Sequence, residues 1–218
     1  MKNIYLFLTL LGIVMTASAQ NVAKSDPEAK KILDAVSARF KTFKTTKATF
    51  TYNVENAAGK ILSSKKGTIF MKGTKYRVSI VGQEIFCDGN NIWTYDKAAN
   101  EVTITKFDGE GTTLTPQKLF TNFYDEDFLY KMNGEKKQGA KTIQEIEMTP
   151  NDKTKPFHKV YLYIDKAAKT ISSTKVLEKT GNRYSYTVNS LTPNTAIDDG
   201  QFLFDAKKFP GIEIVDLR

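Results

Sequence analysis

From Lys47 to Lys106 the large apolar residues recur at every second position, segment after segment, and no stretch of helical period interrupts them. Ala48, Phe50, Tyr52 and Val54 alternate with Thr49, Thr51 and Asn53. Strand patterns follow at Lys60 to Lys72, Tyr76 to Val81, Glu84 to Cys87, Asn91 to Tyr95 and Glu101 to Lys106. Parallel strands need a crossover of a dozen or more residues between them, and these connections are far shorter. The segments are therefore read as an antiparallel meander. Asp88-Gly89 suits a type I′ turn, because glycine tolerates positive φ, and it predicts pairing of the strands on either side of it. The second of these carries Trp93, the single tryptophan of the chain.

Helical period appears at two places only. Asp26-Pro27-Glu28 is a helix start, with Asp26 as N-cap and Pro27 in the first turn, and Ile32, Leu33, Val36, Phe40 and Phe43 follow at helical spacing. After a polar stretch from Phe107 to Thr115, Thr115-Pro116 opens a short helix carrying Leu119, Phe120, Phe123 and Tyr124. Strands resume at Phe128 to Met132, Thr142 to Thr149, Lys159 to Ile164, Thr170 to Leu177 and Tyr184 to Leu191, which makes about eleven in all. The tail from Asp198 to Arg218 holds Phe202, Phe204, Phe209, Ile212, Ile214 and Val215, spaced as packing residues that tie the end to the sheet. No fixed-period repeat is present.

The first 19 residues read as a signal peptide: Lys2, an apolar run from Ile4 to Met15, and Ala17-Ser18-Ala19 as the cleavage motif. Residue 20 is Gln rather than a lipid-accepting cysteine, so the expected product is a soluble exported protein in a periplasm-like compartment. Residues 20–218 then form a single domain. Cys87 is the only cysteine, so no internal disulfide is available. The formal net charge of +8 is spread along the chain without a block of like charges, which argues against nucleic-acid binding.

The inventory for chemistry is thin. His158 is the single histidine, placed where a loop enters a strand without an evident nucleophile or orienting partner. The chain lacks a nucleophile elbow, a zinc-protease motif and a phosphate loop. The acidic runs Asp125-Glu126-Asp127 and Asp198-Asp199 lie between elements, where carboxylates cap turns or face water. No catalytic residue, metal ligand or cofactor is expected, and the protein is read as a binding protein rather than an enzyme.

What remains is shape and hydrophobicity. One phase of the first five strands collects Phe50, Tyr52, Val54, Ile69, Met71, Tyr76, Val78, Ile80, Ile85 and Trp93. A curled antiparallel sheet with that inner face either fills its interior with side chains or leaves a cavity open. A one-residue slip would exchange Phe70 and Phe86 for Ile69 and Ile85.

The order of features is more specific than any one of them. The leader and opening helix are followed by A-T-F-T at Ala48 to Thr51, I-F-M-K at Ile69 to Lys72 and Y-R-V at Tyr76 to Val78. Then come D-G-x-x-I-W-x-Y-D at Asp88 to Asp96, the T-P helix at Thr115, and F-x-F-x(4)-F-P-G-I-E-I from Phe202 to Ile214. Together they resemble the periplasmic outer-membrane lipoprotein carrier (LolA-like) family over essentially the whole mature chain.

The resemblance implies a mainly β fold with a helical lid, of the all-β or α+β class: a half-open antiparallel β-barrel of about eleven strands wrapped around short helices. The ten residues of the inner phase would line a lipid-binding cavity, with Val36, Phe40, Leu119, Phe120 and Phe123 on the lid. It further implies a monomeric periplasmic chaperone. Such a chaperone takes acylated lipoproteins from an inner-membrane ABC-type release complex and delivers them to an outer-membrane acceptor, without covalent chemistry. Exposing an acyl chain to water costs about 0.8 kcal/mol per methylene, so lipoproteins need a carrier to cross an aqueous compartment. The chain departs from the family at Gly73, where well-known members place a basic residue that holds the lid shut. Lys72 and Arg77 lie close by without matching the position, and Gly73-Thr74 reads more simply as a turn. Two other functions remain open on the residues alone: carriage of a different lipid or hydrophobic small molecule, and a structural β-domain with a filled core.

Overall fold

The computed structural model describes residues 25–108 and 127–218. Helix α1, Pro27–Lys41, begins where the Asp26 carboxylate accepts the Glu28 N–H at 2.8 Å, with Pro27 in the first turn and Arg39 and Lys41 in the last. Ala29, Leu33, Val36 and Ser37 form its one buried stripe. Beyond it the described residues form twelve strands: β1 Thr46–Glu55, β2 Ile61–Lys72, β3 Lys75–Ile80, β4 Gln83–Cys87, β5 Asn91–Asp96 and β6 Glu101–Lys106. These are followed by β7 Phe128–Gln138, β8 Lys141–Pro150, β9 Phe157–Asp165, β10 Thr170–Glu178, β11 Arg183–Pro193 and β12 Glu213–Asp216.

All twelve belong to one sheet, in the order β12-β6-β5-β4-β3-β2-β1-β11-β10-β9-β8-β7. Two antiparallel meanders, β1 to β6 and β7 to β11, join through the β1–β11 pair. Strands β7 and β12 are its two ends and do not pair with each other, so the sheet is open and not closed into a barrel. The twelfth strand exceeds the sequence expectation, which treated Glu213 to Asp216 as packing only. It pairs parallel to β6, Glu213 opposite Glu101 and Asp216 opposite Ile104. A parallel neighbour requires a long return path, and residues 194–212 provide one.

The Asp88-Gly89 turn joins β4 and β5 as expected, but it is not a type I′ pair. Gly89 alone takes positive φ, at 94°, while the Asp88 carboxylate accepts the N–H groups of Asn90 and Asn91, both at 2.8 Å. The aspartate side chain closes the loop in place of a second positive-φ residue. The expected helix after Thr115, with Leu119, Phe120 and Phe123, lies outside the described residues, as does the expected leader.

Residues opposite each other in neighbouring strands share a face. One face carries Ala48, Phe50, Tyr52 and Val54 on β1; Ile69 and Met71 on β2; Tyr76, Val78 and Ile80 on β3; and Ile85 and Cys87 on β4. It continues across β11 to β7 through Tyr184, Tyr186, Val176, Val160, Leu162, Ile146, Met148, Tyr130 and Met132. Helix α1 lies on this side, the helix face. Ala29, Leu33 and Val36 pack there with Ile146, Met148, Val160, Leu162, Phe128 and Tyr130 in a closed core.

The opposite, tail face holds Phe86, Tyr95 and Val102. The C-terminal segment covers it: Phe202 is wholly buried, Phe204 meets Phe86 edge-on at 5.7 Å, and Phe209 meets Tyr95 at 4.5 Å. Asp198 caps the 3-10 turn Asp199–Phe202. Asp199 binds Lys72 and Lys75 at 2.6 and 2.8 Å, which seats the turn against β3.

Candidate hydrophobic binding face

The helix face has three regions of different exposure. Under α1 it is sealed. Around β2 to β5 a smaller cluster centres on Met71, Tyr76 and Cys87, all buried, with Phe40, Ile69, Val78, Ile85, Ile92 and Phe107 partly buried against it. Between the two, on β1 and β11, Phe50, Tyr52, Val54, Tyr184 and Val188 are half-buried, and Tyr186 is 40% exposed.

The central strip is aromatic. Tyr52 sits 4.8 Å from Tyr186 and stacks nearly parallel to Tyr184, at 6.0 Å and 2°. Phe50 meets Tyr186 at 6.3 Å. Burial and the neighbouring Tyr186 and Tyr184 push the Tyr52 phenol up to about 12, so the strip stays uncharged at neutral pH. The Tyr184 hydroxyl donates to Glu178 at 3.3 Å, which leaves the Tyr184 ring on the strip and its polar end tied down. Gly67, opposite Phe50 on β2, gives the Phe50 ring room to lie against the strand.

Nine of the ten residues read from the sequence as inner-face candidates do share the helix face: Phe50, Tyr52, Val54, Ile69, Met71, Tyr76, Val78, Ile80 and Ile85. They differ in access. Met71 and Tyr76 are buried core residues around Cys87, whereas the others keep exposed surface. Trp93 does not belong with them. It stands opposite Phe86 and Ile104 on the tail face, because its strand phase follows Tyr95 rather than Ile92. Of the lid candidates, Val36 is buried in the core under α1 and Phe40 packs on the Cys87 cluster. Tyr184, Tyr186 and Val188 complete the strip from β11, outside the five strands from which the inner phase was read. Their own alternation, Tyr-Ser-Tyr-Thr-Val, carried the signal.

A hollow of about 640 Å³ lies at β1 to β3, where Phe50, Gly67, Ile80 and Val81 line it together with polar side chains. Thr49, Thr51, Thr68, Ser79, Lys66, Lys97 and Asn189 line it with hydroxyl, amide and ammonium groups. Several of these polar groups are already paired, Thr49 with Ser190, Thr51 with Asn189 and Lys97 with Glu84. The hollow adjoins the aromatic strip through Phe50, which belongs to both.

No group of three or more His, Cys, Asp or Glu side chains among the described residues could hold a metal ion. His158 is exposed. Neither basic residue near Gly73 is available as a latch: Lys72 is held by Asp199, while Arg77 binds Glu84 at 2.6 Å and lies over the Phe86 ring on the tail face. Gly73 itself has φ 57°, as a β2–β3 turn requires.

Residues 41–205 match the family model described as outer membrane lipoprotein carrier protein LolA. The chain belongs to that family. A curated outer-membrane lipoprotein carrier protein of Cupriavidus necator is 25% identical over 159 residues, 71% of this chain and 72% of the relative. An uncharacterized conserved protein of Thermus thermophilus shares the fold with a TM-score of 0.59 and 14% identity, over 87% of this chain and 99% of that one. A LolA superfamily protein of Nitrosomonas europaea aligns with a TM-score of 0.42 and 11% identity, over 81% of this chain and 97% of its own. In this chain the sheet is one open layer, with an amphipathic helix over part of its apolar face and an aromatic strip left half-covered beside it.

Proposed function

We propose that this protein is a periplasmic carrier that shields the acyl chains of lipoproteins on the helix face of its sheet and moves them between the inner and outer membranes without covalent chemistry. The observation that carries the reading is the strip of Phe50, Tyr52, Tyr184 and Tyr186, flanked by two packed clusters yet itself partly exposed. A sheet built only to pack would bury such rings, since each removes 150 to 250 Å² of surface when covered, by the usual figure for aromatic side chains. Membership of the LolA family supports the same reading. An inner-membrane release complex of ABC type and an outer-membrane acceptor are the partners this role requires.

Transfer demands that the site hold cargo without trapping it. Burying an acyl chain gains about 0.8 kcal/mol per methylene, on the order of ten kcal/mol per chain if fully covered. An open strip covers a chain on one side only, which lowers that gain and permits release to an acceptor that encloses it better. The test is organic extraction of residues 20–218 purified from an envelope fraction, with mass spectrometry of what is released. Triacylated lipoprotein is the expected product. Recovery of free lipid alone points to a carrier of another lipid, and an empty protein that also fails to bind a triacylated lipopeptide overturns the reading.

A further inference from the structure

Strands β1 and β10 end, and β2, β9 and β11 begin, at one edge of the sheet. The β1–β2 turn lies there beside the β10–β11 turn, with Ala57 close to Gly181. Strand β3 pairs with β2 only from Gly67 to Lys72, so among the described residues Ile61 to Lys66 have a strand neighbour on one side alone. Leu62 is moreover the extra residue of a bulge, because Val54 pairs with Ser63 and Glu55 with Ile61. Both apolar side chains stand in solvent, Ile61 at 54% and Leu62 at 59% exposure, next to exposed Ala57 and Ala58.

Four of the five N–H groups of the turn, those of Asn56, Ala58, Gly59 and Lys60, are bonded within it. Asn56 Oδ1 accepts the N–H of Ala58 at 3.0 Å and of Lys60 at 2.9 Å, and the Asn56 carbonyl accepts Gly59 N–H at 2.9 Å. Arg183 donates to the Ala57 carbonyl. A turn whose amides are bonded internally loses little when water is withdrawn from it. The exposed charges of the hairpin itself are basic: Lys60, Lys65 and Lys66 are exposed and form no ion pair among the described residues. Glu55 is buried against Lys175 and Ser185, and Glu178 at the end of β10 accepts the Thr180 and Tyr184 hydroxyls.

We propose that the β1–β2 tip docks on an anionic bilayer surface, with Ile61 and Leu62 entering the headgroup region and Lys60, Lys65 and Lys66 meeting lipid phosphates. The combination of exposed apolar side chains, internally bonded amides and a lysine rim is what an interfacial contact needs. A strand of a protein partner would need the free edge of β2 from Ile61 to Lys66, and the Leu62 bulge and the lysines at 60, 65 and 66 oppose such pairing. The contact is weak and salt-sensitive, since its lysines are exposed. It is independent of whether the aromatic strip carries cargo.

The test is co-sedimentation of residues 20–218 with vesicles of phosphatidylcholine containing about 30% phosphatidylglycerol, against phosphatidylcholine alone. Binding to the anionic vesicles only, reduced by high salt and roughly tenfold in Ile61→Ser/Leu62→Ser or Lys60→Glu/Lys65→Glu, is expected. Leu217→Ser, equally exposed at the far end of the sheet, should bind as the parent does. Cys87 is buried, so an environment-sensitive dye on Ala58→Cys reports the tip alone and should shift to the blue with anionic vesicles. Absence of sedimentation, or sedimentation undiminished in the Ile61→Ser/Leu62→Ser variant with unchanged melting, overturns the proposal. So does a photocross-linker at Ala58 that captures a protein while the dye ignores vesicles.

Discussion

The ring of Phe50 lies directly over Gly67, its partner across the β1–β2 pair, so closely that a β-carbon at Gly67 would overlap the ring and stand 2.8 Å from the Ser79 carbonyl. The glycine is needed for approach, not for backbone conformation. It lets Phe50 lie down toward β2 and keep its other edge toward Tyr186. Gly67→Ala should therefore destabilise the protein by about 1–3 kcal/mol, as overpacking does. Adding Phe50→Ala should recover part of that loss, because two of the three crowding atoms belong to the ring and the third is backbone that stays. Thermal melts of Gly67→Ala, Phe50→Ala and the double variant decide the point, and a Gly67→Ala protein that melts with the parent would sink it.

Asp26 joins two elements with one carboxylate. Its Oδ1 caps α1 through the Glu28 N–H, and its Oδ2 accepts the Met132 N–H at 2.9 Å, while the Asp26 N–H donates to the Tyr130 carbonyl. These backbone N–H groups, Met132 first, hold the carboxyl below its usual range. A depressed folded-state value means that the stabilisation is complete above the ordinary carboxylate pKa and is lost as the pH falls through the folded value. Asp26→Ala should lower the melting temperature by a few degrees at neutral pH. The gap between parent and variant should narrow in acid; a gap that is constant from neutral pH down to pH 3 would refute the assignment.

The meander, the opening helix and its cap were legible in the sequence because each is a local pattern: period two, helical spacing from Ile32 to Phe40, and Asp26-Pro27. The phase of Ile69 and Ile85 against Phe70 and Phe86 was not, since both members of each pair are large and apolar. Two separate partners account for this. Ile69 and Ile85 face the Cys87 cluster, while Phe86 is buried under the tail at Phe204. A sheet covered on both faces loses the alternation that reveals phase. Trp93 went to the wrong face for the same reason. The parallel pairing of β12 depends on where a long connection returns, which local pattern does not specify.

Asp199 is the polar clasp of that tail. Lys72 and Lys75 hold its carboxyl at about 2, so the contact persists throughout neutral and mildly acidic pH and is lost only as the pH falls toward that value. Lys72 and Asp199 are solvent-exposed and Lys75 is half-exposed, so Asp199→Asn should barely move the melting temperature. Its effect should appear instead as faster amide exchange from Gly200 to Leu203. Phe202→Ala removes a wholly buried ring and should cost about 3–5 kcal/mol. Equal melting losses in the two variants would show that the ion pair, not the buried ring, anchors the segment.

Charge placed on the helix face separates a binding surface from a core. Tyr186 is 40% exposed on the aromatic strip, whereas Ile146 is wholly buried beneath α1 on the same face. Tyr186→Asp removes ring contacts with Phe50 and Tyr52 worth about 0.5–1.5 kcal/mol each and leaves the new carboxylate in reach of water. The fold should survive with a modest loss of melting temperature. Binding of a fluorescent acyl probe should nevertheless weaken about tenfold or more, because a bound chain would have to strip water from that carboxylate. Ile146→Asp buries an unpaired charge among apolar side chains and should prevent folding altogether. Probe affinity that is unchanged in Tyr186→Asp would remove the strip from the binding site. Collapse of Tyr186→Asp to the same degree as Ile146→Asp would mean that the strip is core, and that the sheet interior is filled.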